Sequence, residues 1–479
     1  MRSPIGLGIN QSTAGHNLIL DPRTPWDSAL AFIETKYSAG EIRTLLHHGG
    51  VFYGWTGTHY PTIDSGAIRS EVYYFLDSAD CITKDGDELP FAPNTRRVTD
   101  VVDALKGATN LSSCHPPMWL SGASDLPPVE FIACQNGLLH VPTRKLLPHT
   151  PDFFTLYALP YAYDPNAPQP RDWLSFLESI LGNDEEGIAT LQEIIGYLLT
   201  CDTHQQKIFL IVGPTRSGKG TIARVLTALL GSENVAAPTL ASMATNFGLA
   251  PLIGRQLAII SDARLGNRSD QQVIVERLLS ISGEDSLTID RKYLGSFTGR
   301  LPTRFLILTN ELPRLTDASG ALARRFVTLV LTNSFYGRED LGLAARLLME
   351  LPSILNWALD GRDRLSRRGY FVQPKSSSEV TEELEDLGSP IGAFLRDCCQ
   401  VGKGQSVEVE VLYGKWEIWC RRCGRDWPGT IQTFGRDLRA AVPGLRVRQP
   451  RDGEGRQRIY QGVGLKPENP KRGSAGSST

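Results

Sequence analysis

The sequence contains no apolar run near the roughly 20 residues that a membrane-spanning helix needs. Its strongest short run, Ile208 to Val212, is the length of one buried strand. The opening residues, Met1 to Ser12, lack the apolar core of a secretion signal. Eight cysteines are present, but none follow the spacing of a disulfide framework. Together these absences predict a cytoplasmic chain with free thiols and no membrane partner. Charge of one sign is also lacking: 50 Lys and Arg face 52 Asp and Glu, for a net charge of −2. That balance does not exclude nucleic acid, because a local basic face fits inside a neutral total. No internal repeat is found, which argues against a solenoid or propeller.

What is there is enough for several domains: 479 residues, 41% apolar and 21% charged. Residues 1–30 lack periodicity and are expected to form a flexible leader. Residues 31–170 read as an α+β domain. In it, Val51 to Trp55 and Thr58-His59-Tyr60 are expected to form two short strands around a Gly turn. Phe131 to Cys134 and the residues from Gly137 are expected to form a hairpin turned by Asn136-Gly137. Residues 171–373 begin with two helical patterns between Trp173 and Leu199. Short apolar strands then alternate with helices: Ile208–Val212, Leu257–Ile260, Phe305–Leu308 and Val327–Val330. That alternation is the pattern of an α/β nucleotide-binding core. Residues 374–390 read as a linker, 391–466 as a smaller unit and 467–479 as a disordered tail.

Gly213-Pro214-Thr215-Arg216-Ser217-Gly218-Lys219 follows the first of these strands and precedes the helical run Ile222 to Leu230. The glycines let backbone N–H groups turn toward phosphate oxygens, and Lys219 adds a point charge. The positive end of the helix dipole adds to it. An ordinary Gly-rich turn would not need strand, loop, lysine and helix in this order. Gly220 stands where Ser or Thr commonly holds Mg²⁺. The hydroxyl of Thr221 is therefore the candidate for the metal shell.

Asp262 follows the strand Leu257–Ile260 and is the candidate for holding Mg²⁺ or polarising water. Only one acid is present there, so Glu284 or Asp285 is a possible assistant. Asn310, at the end of the next strand, could touch the γ-phosphate or the attacking water; an Asn in a strand-end turn is common in isolation, but its position relative to the other motifs favours the sensor. Arg324 and Arg325 precede the strand at Val327. One of the two is expected to act as a finger on a neighbour's phosphoryl group, the other to be structural; paired arginines are otherwise plain surface charge. Ser286 to Tyr293, with Gly295 and Thr298 to Arg300, reads as a basic hairpin. It either sets Arg291 and Lys292 on a phosphate backbone or is only solvated.

These motifs together resemble the phage and plasmid primase–helicase family, a superfamily 3 branch related to the poxvirus primase–helicase. The resemblance runs from about residue 30. It rests on Asn136-Gly137-Leu138, Pro148-His149-Thr150, Tyr163-Asp164-Pro165, Gly196-Tyr197, the phosphate loop, Ser282 to Asp285 and Thr309 to Pro313. It implies an α/β, AAA+-like helicase core with an N-terminal α+β domain. It also implies a ring, usually a hexamer, that moves on single-stranded DNA with ATP and Mg²⁺ at sites between subunits. Under it, Gly213 to Thr221 bind nucleotide, Asp262 is the acidic motif and Asn310 the sensor. Arg324 or Arg325 is the finger in trans, and Lys292 touches DNA. Relatives often carry Glu where Asp262 stands, which bears on water activation. Primer synthesis is not expected.

The unit at 391–466 resembles the winged-helix segment that closes many family members. Arg436, Arg439, Arg446, Arg448, Arg451, Arg456 and Arg458 outnumber nearby acids there. Arg436, Arg439, Arg456 and Arg458 are the candidates for phosphate contact with duplex or forked DNA. Cys420 and Cys423 lie within a helical pattern, which is poor geometry for zinc. Two other readings stay open. Gly218-Lys219-Gly220-Thr221 also occurs in small phosphotransferases, and an origin-binding loader would use ATP to assemble without unwinding.

Overall fold

From Lys207 onward, short apolar strands lie side by side in one parallel sheet. We number its five strands in chain order: β1 Ile208–Val212, β2 Val235–Ala236, β3 Leu257–Ile260, β4 Arg304–Thr309 and β5 Phe326–Val330. Their order across the sheet is β2-β3-β4-β1-β5, and every pairing is parallel. Strands buried on both faces read as near-continuous apolar runs, as β1 and β3 do. The computed structural model describes residues 18–111, 116–122, 124–261, 263, 268–292, 294–313, 315, 317, 319–425, 427–449 and 457–467. The chain divides into two compact units, Met1–Tyr163 and Asp164–Thr479.

In the first unit, helices Pro25–Lys36, Ser65–Asp77 and Thr95–Ala108 surround Phe32, Phe52, Val72, Val98 and Leu105. The last two helices have side-chain caps: Asp64 accepts from the N–H of Gly66 and Ala67, and Asn94 from that of Arg97. The leader expected over 1–30 is too long. Its first 17 residues lie outside the described residues, but Leu20 is buried and its N–H donates to Asp80 O at 2.8 Å. Pro25, at the first turn, then opens a helix.

The expected strand at Thr58 to Tyr60 is also corrected. Val51–Gly54 pairs with Leu45–His48 before it and with Thr62–Ile63 after it. Thr58 falls within a tight turn, closed by Thr56 N–H donating to His59 O at 3.0 Å. The hairpin at Phe131–Cys134 and Gly137–His140 is present, but Gly137 already pairs with Cys134. Its turn is therefore Gln135-Asn136. The Asn136 side chain bonds the backbone of Tyr163 in both directions.

In the second unit, the helical patterns before the sheet form helices Arg171–Leu181 and Glu185–Leu198. The second packs on helix Leu351–Arg368, whose Arg364 and Arg368 pair with the buried Glu193. A Cβ at Gly196 would lie 2.2 Å from Ala358 O, so the two backbones meet where only glycine fits.

The stretch 374–390 is not a linker. It holds helix Ser378–Gly388, and its Leu384 sits in the core beside Phe305, Leu315 and Phe326. Asp317 N–H also donates to Gly388 O at 2.8 Å. The acidic surface of this helix hid one buried apolar position.

After it come helices Pro390–Cys398, Val409–Arg422 and Ile431–Ala441. They pack on an antiparallel sheet ordered Cys399–Glu408, Ile459–Leu465, Arg446–Arg448. The strand Cys399–Glu408 was not foreseen. It is polar and mostly exposed, and its partner lies more than fifty residues away. Residues 468–479 of the expected tail lie outside the described residues.

Candidate nucleotide-binding site

The C-terminal ends of parallel strands are where open α/β sheets hold ligands. Here β1 ends beside β4: Val212 pairs with Thr309, and Gly213 N–H donates to Thr309 O at 3.2 Å. The loop from Gly213 to Gly218 turns away from β1 into helix Lys219–Leu230. Gly218 has φ +95°, and a Cβ there would lie 2.9 Å from Ile180 Cγ2. Both facts demand glycine.

Lys219 Nζ donates to Gly213 O at 2.6 Å, Pro214 O at 2.7 Å and Ser217 Oγ at 3.1 Å. Partial burial pushes its pKa below the ordinary lysine value. A Cβ on Gly220 would meet nothing within 4 Å. Packing therefore does not impose glycine there. Thr221 lines the same cleft, as does Asn310, which emerges just past β4.

The cleft measures about 560 Å³, within the range of small-molecule sites. Two walls that sequence reasoning missed complete it. One is helix Arg171–Leu181, which contributes Asp172, Phe176 and Ser179. Its first turn is capped by Glu350, which accepts from the N–H of Asp172 at 3.1 Å and of Trp173 at 2.9 Å.

The other wall is the segment after β5, which carries Phe335, Arg338, Leu341 and Arg346. It is tied to the loop by Ser334 Oγ donating to Thr215 O at 2.8 Å and Phe335 N–H to Arg216 O at 2.9 Å. Arg216 pairs with Glu339 at 3.4 Å; Arg346 pairs with Asp340 at 2.6 Å and Asp172 at 3.5 Å. The Arg346 hydrogen bond holds the Asp340 carboxyl below the usual carboxylate range. No motif spacing announced this wall. It reaches the loop because β5 lies next to β1 in the sheet.

Loop N–H groups, an ammonium, a helix N-terminus and a nearby hydroxyl form a donor set that fits a polyphosphate with Mg²⁺. Two stretches of the chain match known families. Residues 94–182 match the family described as "D5 N terminal like". The chain carries a D5 N-terminal-like region. Residues 211–325 match a "Family of unknown function (DUF5906)". The D5-like region ends on the helix that walls the cleft. The DUF5906 region contains the phosphate loop, Asn310 and the arginine pair.

The fold is like that of "The apo structure of NrS-1 C terminal region (305-718)". The alignment covers 92% of this chain and 100% of that one, with a TM-score of 0.53 and 12% identity. "The A form apo structure of NrS-1 C terminal region-CTR" aligns over 93% and 100%, with a TM-score of 0.49 and 12% identity. At such identity the likeness is one of fold.

The remaining candidates separate into distinct environments. Asp262 and Arg456 lie outside the described residues, as do Tyr293 and Arg451. Glu284, considered as an assistant acid, accepts a short hydrogen bond from Thr203, and neither it nor Asp285 lines the cleft. Arg325 Nη1 donates to Leu279 O at 2.5 Å and Ser282 Oγ at 2.7 Å, which pins it to the end of helix Arg268–Ser282. Arg324 is exposed. Among the described residues that line the cleft, neither arginine is found.

The basic hairpin consists of Leu287–Arg291 and Leu294–Gly299. Arg291 Nε donates to Gly295 O at 2.8 Å, and Lys292 is exposed at the turn. Arg439 and Arg458 are exposed, and the exposed Arg436 pairs with Asp437 at 3.1 Å. Among the described residues, no helix is long and apolar enough to cross a membrane.

Proposed function

We propose that this chain is an ATP-dependent DNA helicase of the superfamily 3 type, working as a ring in a phage or plasmid replication module. One observation carries the reading: the phosphate loop, Thr221 and Asn310 share a cleft, while the exposed Arg324 lies outside that cleft. A phosphoryl-transfer site needs a cation on the transferring group, and an arginine supplied by a neighbouring subunit meets that need. Arg324 is the finger, and Arg325 holds the segment that presents it. Lys219 and the loop N–H groups bind the outer phosphates. Thr221 and Asp262 would hold Mg²⁺, which would supply charge neutralisation there. Asn310 orients the attacking water.

The strand order β2-β3-β4-β1-β5 supports an AAA+-like core, because β4 stands between the loop strand and the strand that leads to Asp262. The helix–strand–helix–helix–strand–strand order of residues 390–465 supports a winged helix. In it, Arg436, Arg439, Arg456 and Arg458 meet duplex or forked DNA, while Lys292, with Arg291 bracing the hairpin, meets single-stranded DNA in the channel.

The test is ATP turnover with and without single-stranded DNA, followed by unwinding of a forked duplex. DNA-stimulated turnover with strand separation is expected. Stimulated turnover without strand separation would favour an origin-binding loader. Turnover indifferent to DNA, with a small-molecule phosphate acceptor, would favour a kinase.

A further inference from the structure

Trp427 is 74% exposed, whereas Trp416 and Trp419 of the same region are buried. An indole left in water is unusual and invites a partner. Slack in the chain does not explain its exposure. The two residues after it are clamped to the aromatic core beneath: Trp416 Nε1 donates to Pro428 O at 2.9 Å, and Tyr413 Oη to Gly429 O at 2.7 Å. Gly429, at φ +78°, then turns the chain into Thr430, which caps helix Ile431–Ala441 by accepting from Thr433 N–H. The indole thus projects from a short, fixed lead-in to that helix.

Its surroundings in the chain are strongly basic. Residues 421–448 contain seven arginines and two aspartates. Arg421 and Arg422 are exposed at the end of the preceding helix. On the following helix, Gln432, Arg436 and Arg439 are exposed at a spacing that puts them on one face. Such charge suits a polyanion, whereas the buried core of a protein–protein interface is depleted of charge.

We propose that Trp427 stacks on an unpaired base of the DNA held by these arginines, where duplex gives way to single strand. The inference rests on the DNA-binding reading of this region. A base inside a duplex has both faces covered by its neighbours, so an indole finds a free face only on an unpaired or end base. Stacking is tolerant of sequence, because every base has such a face.

The test uses the full chain with labelled forked DNA, single-stranded DNA and blunt duplex, titrated by fluorescence anisotropy over a series of salt concentrations. Trp427→Ala is expected to weaken fork and single-strand binding about tenfold. Blunt-duplex binding should stay within about twofold, since paired bases offer no face to stack on. The slope of log affinity against log salt should match wild type, because no cation is lost. Trp427→Phe should retain most of the affinity. A thermal melt like wild type serves as the control for folding.

Wild-type fork binding by Trp427→Ala would overturn the proposal, and a change in its oligomeric state beside that would mark the indole as a protein contact. Equal losses on fork and duplex, or a changed salt slope, would overturn it as well. Wild-type protein that binds none of the three DNAs would instead defeat the DNA-binding reading, and this inference with it.

Discussion

Among the described residues, the hydrogen bonds of Lys219 Nζ go to its own loop, so its role is separable from folding. Lys219→Ala should lower ATP turnover at least about a hundredfold, the scale of removing one charge-stabilising donor from such a site. The melting temperature should hardly move, and near wild-type turnover in folded protein would reject the site. The two glycines that flank Lys219 should behave oppositely. Gly218→Ala forces a side chain into φ +95° and against Ile180 and Phe176, so ATP affinity should fall. Gly220→Ser enters open space, so nucleotide binding and melting should match wild type within error; a clear loss would mean that the loop closes over that position. The arginine pair divides in the same way. Arg325→Ala removes bonds to Leu279 and Ser282 and should cost roughly 2 kcal/mol in denaturant unfolding. Arg324→Ala should leave stability unchanged and lower turnover. Adjacent letters alone could not separate these two residues, because their difference is which one finds acceptors.

At the scale of elements, apolar periodicity made four of the five sheet strands and the helices between Trp173 and Leu199 legible; β2, Val235–Ala236, is too short to carry such a signal. It failed where one buried residue carries an element. Helix Ser378–Gly388 has Glu379, Glu382, Glu383, Glu385 and Asp386 on a polar surface, and Leu384, 3% exposed, joins the sheet's core. Leu384→Ala should therefore destabilise the fold by about 2–5 kcal/mol, as buried Leu truncations do. A loss below about 0.5 kcal/mol in denaturant unfolding would return this stretch to the status of a linker. The strand Cys399–Glu408 failed for the complementary reason. A strand open to water on most of its length carries little apolar signal, and its partner is remote in sequence.

At the scale of the whole molecule, the cleft residues fall between Asp172 and Arg346, whereas the arginine-rich helix and strands follow residue 390. Deleting residues 391–479 should therefore lower DNA affinity and flatten its salt dependence, because fewer counterions are released. Basal ATP turnover should largely remain. Unchanged duplex binding at every salt would defeat the winged-helix reading. If sites form between subunits, mixing Arg324→Ala with Lys219→Ala protein should restore part of the activity lost in each, since one interface then pairs intact elements. Light scattering should show a nucleotide-stabilised oligomer, and a monomer under every nucleotide condition would sink the ring.

The sequence by itself determined the phosphate loop, the strands that lead to Asp262 and Asn310 and the arginine pair. Each is local: a short apolar run followed by residues whose chemistry depends on neighbours a few positions away. The tertiary structure alone decided the rest. Only the strand order brings the segment after β5 against the loop and makes Arg338 and Arg346 part of the cleft wall. Only the placement of helix Arg268–Ser282 gives Arg325 its acceptors while leaving Arg324 exposed. Only the aromatic core beneath Pro428 and Gly429 fixes the loop that displays Trp427. These contacts join residues from 12 to 119 positions apart, or depend on which side of a buried core a residue falls. Neither property is written in the local pattern of the chain.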